Sequence, residues 1–311
     1  MPTLISLRIA RALLLLFLLS VAVFSLSRAM PGDIWTELQM EPGVSAERLQ
    51  ALRRSYQLDR SLPAQYAGWL SHVIRGDFGY SPVERRPVAP LVSAHLSRTL
   101  GLAVFTMTLT ITLSLLLSIA FAPRKGQKRL LDAAFLPLVL SVPPVLTSLL
   151  VRWIKLNVSP VRHYEVDSMF WQLESYFWPS LALAVPLAAY MAKQLRREIR
   201  GILGLQYYIT AESKGLQKSG LSVHLLRPLL PVLLNLSSVL FSSLIAGAVV
   251  AEAVFDFRGI GILALEAVLN RDTFLLMAAL LAGCGLVIAV NLVTDLLVVW
   301  ADPRLRKSTV P

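Results

Sequence analysis

The chain has 311 residues, 55% hydrophobic and only 16% charged, with a mean hydropathy of +0.63. Soluble domains carry about 25% charged residues; here the deficit is concentrated in long uncharged runs, which excludes a soluble enzyme, a disordered chain and a fibrous repeat. A single cysteine, Cys284, excludes an intrachain disulfide framework or thiolate cluster, and the net charge of +11, from 30 Lys+Arg against 19 Asp+Glu, points in a membrane protein to the anionic bilayer face and to orientation rather than to nucleic acid.

Six uncharged stretches follow in chain order: residues 12–27, 99–122, 133–151, 175–192, 228–251 and 273–294, the last continuing apolar past Asp295 to Trp300. About 20 residues of helix cross the hydrocarbon core, so each stretch predicts one transmembrane helix. The first is the shortest and spans if its flanking arginines, Arg11 and Arg28, snorkel to the interfaces. Ser27-Arg28-Ala29-Met30-Pro31 is a poor cleavage site, so this helix is expected to remain as an anchor rather than to be removed as a signal peptide. The expected fold is all-α and polytopic, with six transmembrane helices. Residues 1–30 hold the N-terminal helix, 31–94 an extracytoplasmic helical insertion, 95–300 a five-helix core with a cytoplasmic loop at 196–228, and 301–311 a cytoplasmic tail.

The orientation comes from the connecting segments. Arg124, Lys125, Lys128 and Arg129 crowd the turn between the second and third spans. Lys193, Arg196, Arg197, Arg200, Lys214, Lys218 and Arg227 outnumber Glu198 and Glu212 between the fourth and fifth, and the tail adds Arg304, Arg306 and Lys307. Residues 31–94 balance seven basic against seven acidic residues. Basic short loops stay inside, so both termini are expected in the cytoplasm and the 31–94 segment outside.

Within that outer segment, Ser45 can cap a helix with the face Leu49, Leu52 and Tyr56. Pro63 suits the first turn of a second helix carrying Tyr66, Trp69, Leu70, Val73 and Ile74 at helical spacing, which Gly76 can end. Two readings stand side by side. The segment is a cap on the outer mouth with Tyr66 and Trp69 at the lipid interface, or a docking surface for an extracytoplasmic partner involving Tyr66, Trp69 and Asp77.

Charges within the spans are scarce. Glu252 and Asp295 lie near span ends and are expected to reach interfacial water. No chain of ionisable groups crosses the bilayer, so an ion-coupled carrier lacks its usual residues. Pro143-Pro144 in the third span and Pro186 in the fourth predict kinks. His-Glu-x-x-His, Gly-x-Ser-x-Gly, P-loop and Cys-x-x-Cys patterns do not occur, and His72, His95, His163 and His224 are scattered. No catalytic, cofactor-binding or metal-binding residue is assigned, and any energy has to come from a partner.

The loop after the fourth span carries Tyr207-Tyr208-Ile209-Thr210-Ala211-Glu212-Ser213-Lys214-Gly215-Leu216, then His224, Arg227 and Pro231. It reads as a short helix, a glycine break and a second short helix before the fifth span. Ala211 and Gly215 share one face, where small residues admit a partner backbone, and Lys214 and Lys218 flank it. The same pattern also suits an ordinary solvated loop helix.

This loop resembles the cytoplasmic "EAA" loop of the inner-membrane permease subunits of ABC importers, in the dipeptide, oligopeptide and nickel branch, with Ile209 departing from the usual first position. The resemblance extends over nearly the whole chain. Pro31-Gly32-Asp33 looks like that family's motif after the first span, and Leu52 to Leu70 resembles its outer helical stretch. Gly76-Asp77-Phe78-Gly79-Tyr80-Ser81 is similar to its Gly-Asp-x-Gly-x-Ser motif. Phe255-Asp256-Phe257-Arg258-Gly259-Ile260-Gly261 resembles a motif with proline at the Arg258 position. Arg271-Asp272, the run Asn291 to Leu297 and Asp302-Pro303-Arg304 complete the series.

The resemblance implies a non-catalytic permease in the cell inner membrane, half of a translocation pathway for peptides or a similar small solute. Nickel or a metal chelate is the alternative cargo, and an ion-coupled carrier a more distant one. It implies as partners a second homologous permease, two cytoplasmic ABC ATPases, an extracytoplasmic binding protein and membrane lipid, with no nucleic acid and no cofactor. Thr210, Ala211, Glu212, Lys214, Gly215 and Leu216 are then the coupling residues, fitted into a groove on an ATPase.

Overall fold

Apolar residues from Leu4 to Leu26 make helix α1 (Pro2–Ala29) in the computed structural model, which describes residues 2–29, 61–120, 142–158, 169–206, 210, 213–214 and 218–301. The elements that follow are α2 (Leu62–Ile74), the two-residue strands β1 (Tyr80–Ser81) and β2 (Arg86–Pro87), α3 (Val88–Ala120), α4 (Pro144–Val158), α5 (Met169–Leu203), α6 (Lys218–Phe255), α7 (Ile260–Leu269) and α8 (Thr273–Ala301). The strands pair antiparallel, Tyr80 opposite Pro87 and Ser81 opposite Arg86. The expected helix after Ser45 lies outside the described residues.

Four helical stretches are long and apolar enough to cross a membrane: Ser6–Leu26, Val88–Ser118, Pro228–Phe255 and Thr273–Trp300. They coincide with the first, second, fifth and sixth expected spans. The fourth lies within α5, a helix of 35 residues, and the third falls partly on α4 and partly outside the described residues. The outward side chains of α1 are Leu13, Leu14, Leu15, Phe17 and Leu18, a surface suited to hydrocarbon.

The chain divides into two compact units. One comprises residues 6–99 and 258–288. Its core gathers Val88 and Val92 at the start of α3, Ile260, Leu263 and Ala267 on α7, and Leu275, Leu276, Ala278 and Ala279 on α8. A second cluster sets Val23 and Phe24 of α1 against Met277, with Tyr66 and Trp69 of α2 packed on it.

The other comprises residues 1–5, 100–257 and 289–311. There α4, α5 and α6 pack on one another. The inner face of α5 is built from Ala182, Ala184, Ala188, Ala189 and Ala192 with Leu183, Met191 and Leu195, all buried. Alanines let helix backbones approach closely where lipid tails supply no hydrophobic drive. Thr106, Thr110, Ser114 and Ser118 of α3 are buried at helical spacing and serve the same end. The Ser238 hydroxyl donates a 2.6 Å hydrogen bond to Asn291 Oδ1, a polar tie between α6 and α8.

Three expectations are corrected. Pro143-Pro144 does not kink a helix: α4 begins at Pro144, where the missing N–H costs nothing. Pro179 and Pro186 lie inside α5, and α6 runs from Lys218 through Pro228 and Pro231 to Phe255. The second short helix before the fifth span is therefore the first part of α6 itself, not a separate element. Finally, Glu252 does not reach water within the chain; it is fully buried, whereas Asp295 is exposed.

Candidate functional site

The loop that carries the expected coupling residues is presented by the end of α5. That helix continues beyond Ala192, the last residue of its uncharged run, to Leu203. A turn follows, closed by Gly204 N–H to the Gly201 carbonyl at 3.2 Å and Leu205 N–H to the Ile202 carbonyl at 3.0 Å. Helical bonding then resumes. The Thr210 hydroxyl donates to the Gln206 carbonyl at 2.8 Å, and Lys214 N–H donates to the Thr210 carbonyl at 3.1 Å. Thr210, Ser213 and Lys214 are exposed. Ala211, Glu212, Gly215 and Leu216 lie outside the described residues.

On α2, Tyr66 and Trp69 are committed to packing within the chain. The Tyr66 and Ser20 hydroxyls share a 2.7 Å hydrogen bond. The Tyr66 ring meets Phe24 edge-on at 5.3 Å between centroids, and Trp69 lies 5.9 Å from the same Phe24. They hold α2 against α1, so the side chains of this helix left outward are Leu62, Pro63, Ala67, Ser71, His72 and Ile74, the last 77% exposed. Asp77 is exposed too. One oxygen lies 3.3 Å from His72 Nδ1, and the other accepts Gly79 N–H at 2.9 Å, an Asx turn that shapes the loop.

That loop is the Gly76–Ser81 motif, and its glycines have a conformational reason. Gly76 and Gly79 sit at φ +81° and +89°, where a Cβ is unfavourable. The Gly79 carbonyl accepts Val88 N–H at 3.0 Å, tying the loop to the start of α3. Ser81 is fully buried; its hydroxyl accepts Glu84 N–H at 2.9 Å and donates to Asp272 Oδ2. Asp272, 1% exposed, also caps α8: its Oδ1 accepts Leu275 N–H at 3.0 Å. Burial raises the Asp272 carboxyl above its usual pKa, against the opposing effect of the hydrogen bonds from Ser81 and Leu275. Two motifs read separately in the sequence thus form one clamp.

The Phe255–Gly261 motif is a second connection of this kind. α6 ends at Phe255, Asp256 takes φ +54°, and Phe257 N–H closes onto the Glu252 carbonyl at 2.8 Å. Buried Gly259 caps α7, and the Thr99 hydroxyl accepts Ile260 N–H at 2.8 Å. Arg258, where the resembling family carries proline, is exposed. No sequence rule pairs Thr99 with Ile260 or Ser81 with Asp272. Among the described residues no group of His, Cys, Asp and Glu is arranged to hold a metal ion. What the arrangement offers is a set of apolar helices, an exposed face at residues 62–81 in one unit, and a polar, exposed segment after the end of α5 in the other.

Residues 114–307 match the family described as "Binding-protein-dependent transport system inner membrane component", and residues 1–116 match the N-terminal component of the same membrane proteins. A Brucella abortus protein assigned as a peptide transport system permease is 30% identical over 315 residues, covering 98% of this chain and 99% of its own. A Sinorhizobium fredii protein assigned as a peptide ABC transporter permease is 29% identical, with 96% and 97% covered. The glutathione transport system permease of Escherichia coli K12 is 30% identical over 294 residues, with 94% of each chain covered.

Proposed function

Because this chain belongs to the inner-membrane components of binding-protein-dependent transport systems, we propose that it forms half of the translocation pathway of an ATP-driven importer for peptides. The observation that carries the reading is the family match from residue 1 to residue 307. Peptide cargo is supported by relatives assigned to peptide and glutathione transport, and nothing among them favours nickel or a metal chelate.

The chain is a multi-pass inner-membrane transport subunit, and its family works with ATPase and binding-protein partners. The finer reading has six spans, both termini in the cytoplasm, a second homologous permease and two ATPases. A single helical hairpin cannot enclose a polar path, whereas two bundles meeting at an axis can. Residues 210–216 rest in a groove on an ATPase, and the α5 extension conveys its movement to the spans. Closure of the ATPase pair on ATP then shifts the bundles between inward- and outward-open states, a population shift driven by differential binding. Outside, the loop at 76–81 and the exposed face of α2 receive the binding protein.

The test is recovery of the assembly from native membranes through a tag on this chain. A second permease and two copies' worth of ATPase should co-purify, and the binding protein should join on crosslinking. A chain recovered alone, with transport driven by an ion gradient, would overturn the reading.

A further inference from the structure

We propose that Lys193, Arg197 and Arg200 on α5 form a binding surface for the phosphodiester headgroups of anionic membrane lipids at the cytoplasmic side of the bilayer. The proposal rests on the span and orientation given above. The three residues are spaced four and three apart, so they share one helix face, and all three are exposed. The opposite face is fixed inward: Leu195 and Ile202 are buried with Met191, Leu229 and Leu240, and Ile199 packs on the same cluster. Rotation of α5 about its axis would expose that core, so the basic face is held outward.

The depth fits the headgroups. Lys193 follows the last residue of the uncharged run, Ala192. At 1.5 Å per residue, Arg197 stands about 6 Å and Arg200 about 10 Å farther along the helix. The interfacial zone on each side of the hydrocarbon core is roughly 5–7 Å thick, so Lys193 lies at its inner edge, Arg197 at its outer edge, and Arg200 a few ångströms beyond it, within reach of the headgroups through its long side chain. Glu198 is the single acidic residue between Lys193 and Leu203, and at one position from Arg197 it projects away from the basic face. An ATPase is the competing occupant. The segment that would meet it lies past the turn at Gly204, about 16 Å along the helix from the end of the uncharged run, which leaves the level of Lys193 and Arg197 to lipid.

The experiment titrates the complete transporter, delipidated in an uncharged detergent, with short-chain phosphatidylglycerol. Each cation near an anionic surface changes affinity roughly fivefold. Half-saturation should therefore rise roughly fivefold for Arg197→Gln and roughly twenty-fold for Lys193→Gln with Arg197→Gln. Arg197→Lys should titrate like the wild type. Unchanged half-saturation in the paired variant, with the complex intact, overturns the proposal. So does loss of the ATPases from that variant with phosphatidylglycerol binding preserved, which would assign the face to the ATPase. Competition by millimolar inorganic phosphate would likewise overturn it in favour of a free-anion site. ATP-dependent uptake by the wild-type complex, measured in parallel in phosphatidylcholine vesicles, reports on the transport reading separately, since it does not depend on this face.

Discussion

Ser81 and Asp272 stand 191 positions apart in the chain and hydrogen-bond each other, the buried serine hydroxyl donating to the buried carboxylate that caps α8. The loop at 76–81 and the start of α8 are thereby one structural unit. Asp272→Ala removes the acceptor from both Ser81 and Leu275 N–H and should cost about 2 kcal/mol. Ser81→Ala should cost less, and the double variant less than the sum. Thermal unfolding of the purified complex measures this, and additive effects would contradict the coupling.

The same pair has a pH signature. Burial raises the Asp272 pKa above its ordinary carboxylate value, so the fold favours the protonated form. That contribution is fully present below the unfolded-state value and is lost as pH rises through the folded one. Asp272→Asn stays neutral and keeps an acceptor for Leu275 N–H, but it presents an NH2 to Ser81 where Oδ2 accepted, so the Ser81 hydroxyl must turn to accept. It should therefore lose less than Asp272→Ala at neutral pH, and the wild type should gain on it as the pH falls. An Asn variant as unstable as Asp272→Ala at neutral pH would contradict the account.

Much of the architecture was legible because membrane helices announce themselves. The uncharged runs at 12–27, 99–122, 228–251 and 273–294 all reappear as long apolar helices. Pro63 does open α2, and Gly76 follows its end in a left-handed conformation. Proline was a poorer guide deeper in the chain. Pro144 opens α4 instead of kinking a span, because the first turn of a helix has no partner for the missing N–H. Glu252 looked like an interfacial carboxylate, yet tertiary packing buries it. Of the candidate site, Gly79, Ser81 and Asp272 were visible as motif residues, but their contact depends on chain closure that spacing does not encode. Tyr66 and Trp69 were read as interface or docking aromatics, and their ring contacts with Phe24 require knowing where α1 lies.

The outer helix separates packing from docking. Trp69→Ala should lower the unfolding temperature, by less than the roughly 3–5 kcal/mol of a fully buried aromatic because Trp69 is half-buried. Tyr66→Phe loses one hydrogen bond, about 1 kcal/mol. Ile74→Asp and Asp77→Asn touch exposed positions and should instead weaken binding-protein stimulation of ATP hydrolysis while leaving its basal rate. Unaltered stimulation in both would retire the docking role of this surface.

Gly76 and Gly79 should respond alike to alanine. Each holds a left-handed φ, worth about 1–2 kcal/mol against a Cβ. Open space surrounds the position at Gly76, and the nearest atom at Gly79 is Phe274 Cδ1 at an ordinary 3.5 Å. Conformation, not collision, then sets the loss. A much larger loss at Gly79 than at Gly76 in thermal unfolding would point to steric conflict with Phe274 instead.

Orientation is tested with single cysteines in a chain whose Cys284 has been replaced. A cysteine at Ser45 should react with an impermeant thiol reagent from outside, and one at Lys218 only after permeabilisation. Labelling of both from the same side would reverse or break the six-span reading.

The central claim is that this chain moves peptides by coupling to ATPases through residues 210–216. The direct measurement is ATP-dependent uptake of a labelled dipeptide into vesicles holding the complete transporter, with wild-type chain or Gly215→Asp. Wild type should accumulate peptide only with ATP and binding protein. Gly215→Asp adds bulk and charge to the proposed coupling loop; it should still insert and pair with its partner permease, but abolish uptake by releasing the ATPases or letting them hydrolyse ATP unproductively. Normal ATP-driven uptake by Gly215→Asp, or wild-type uptake that needs no ATP, would contradict it.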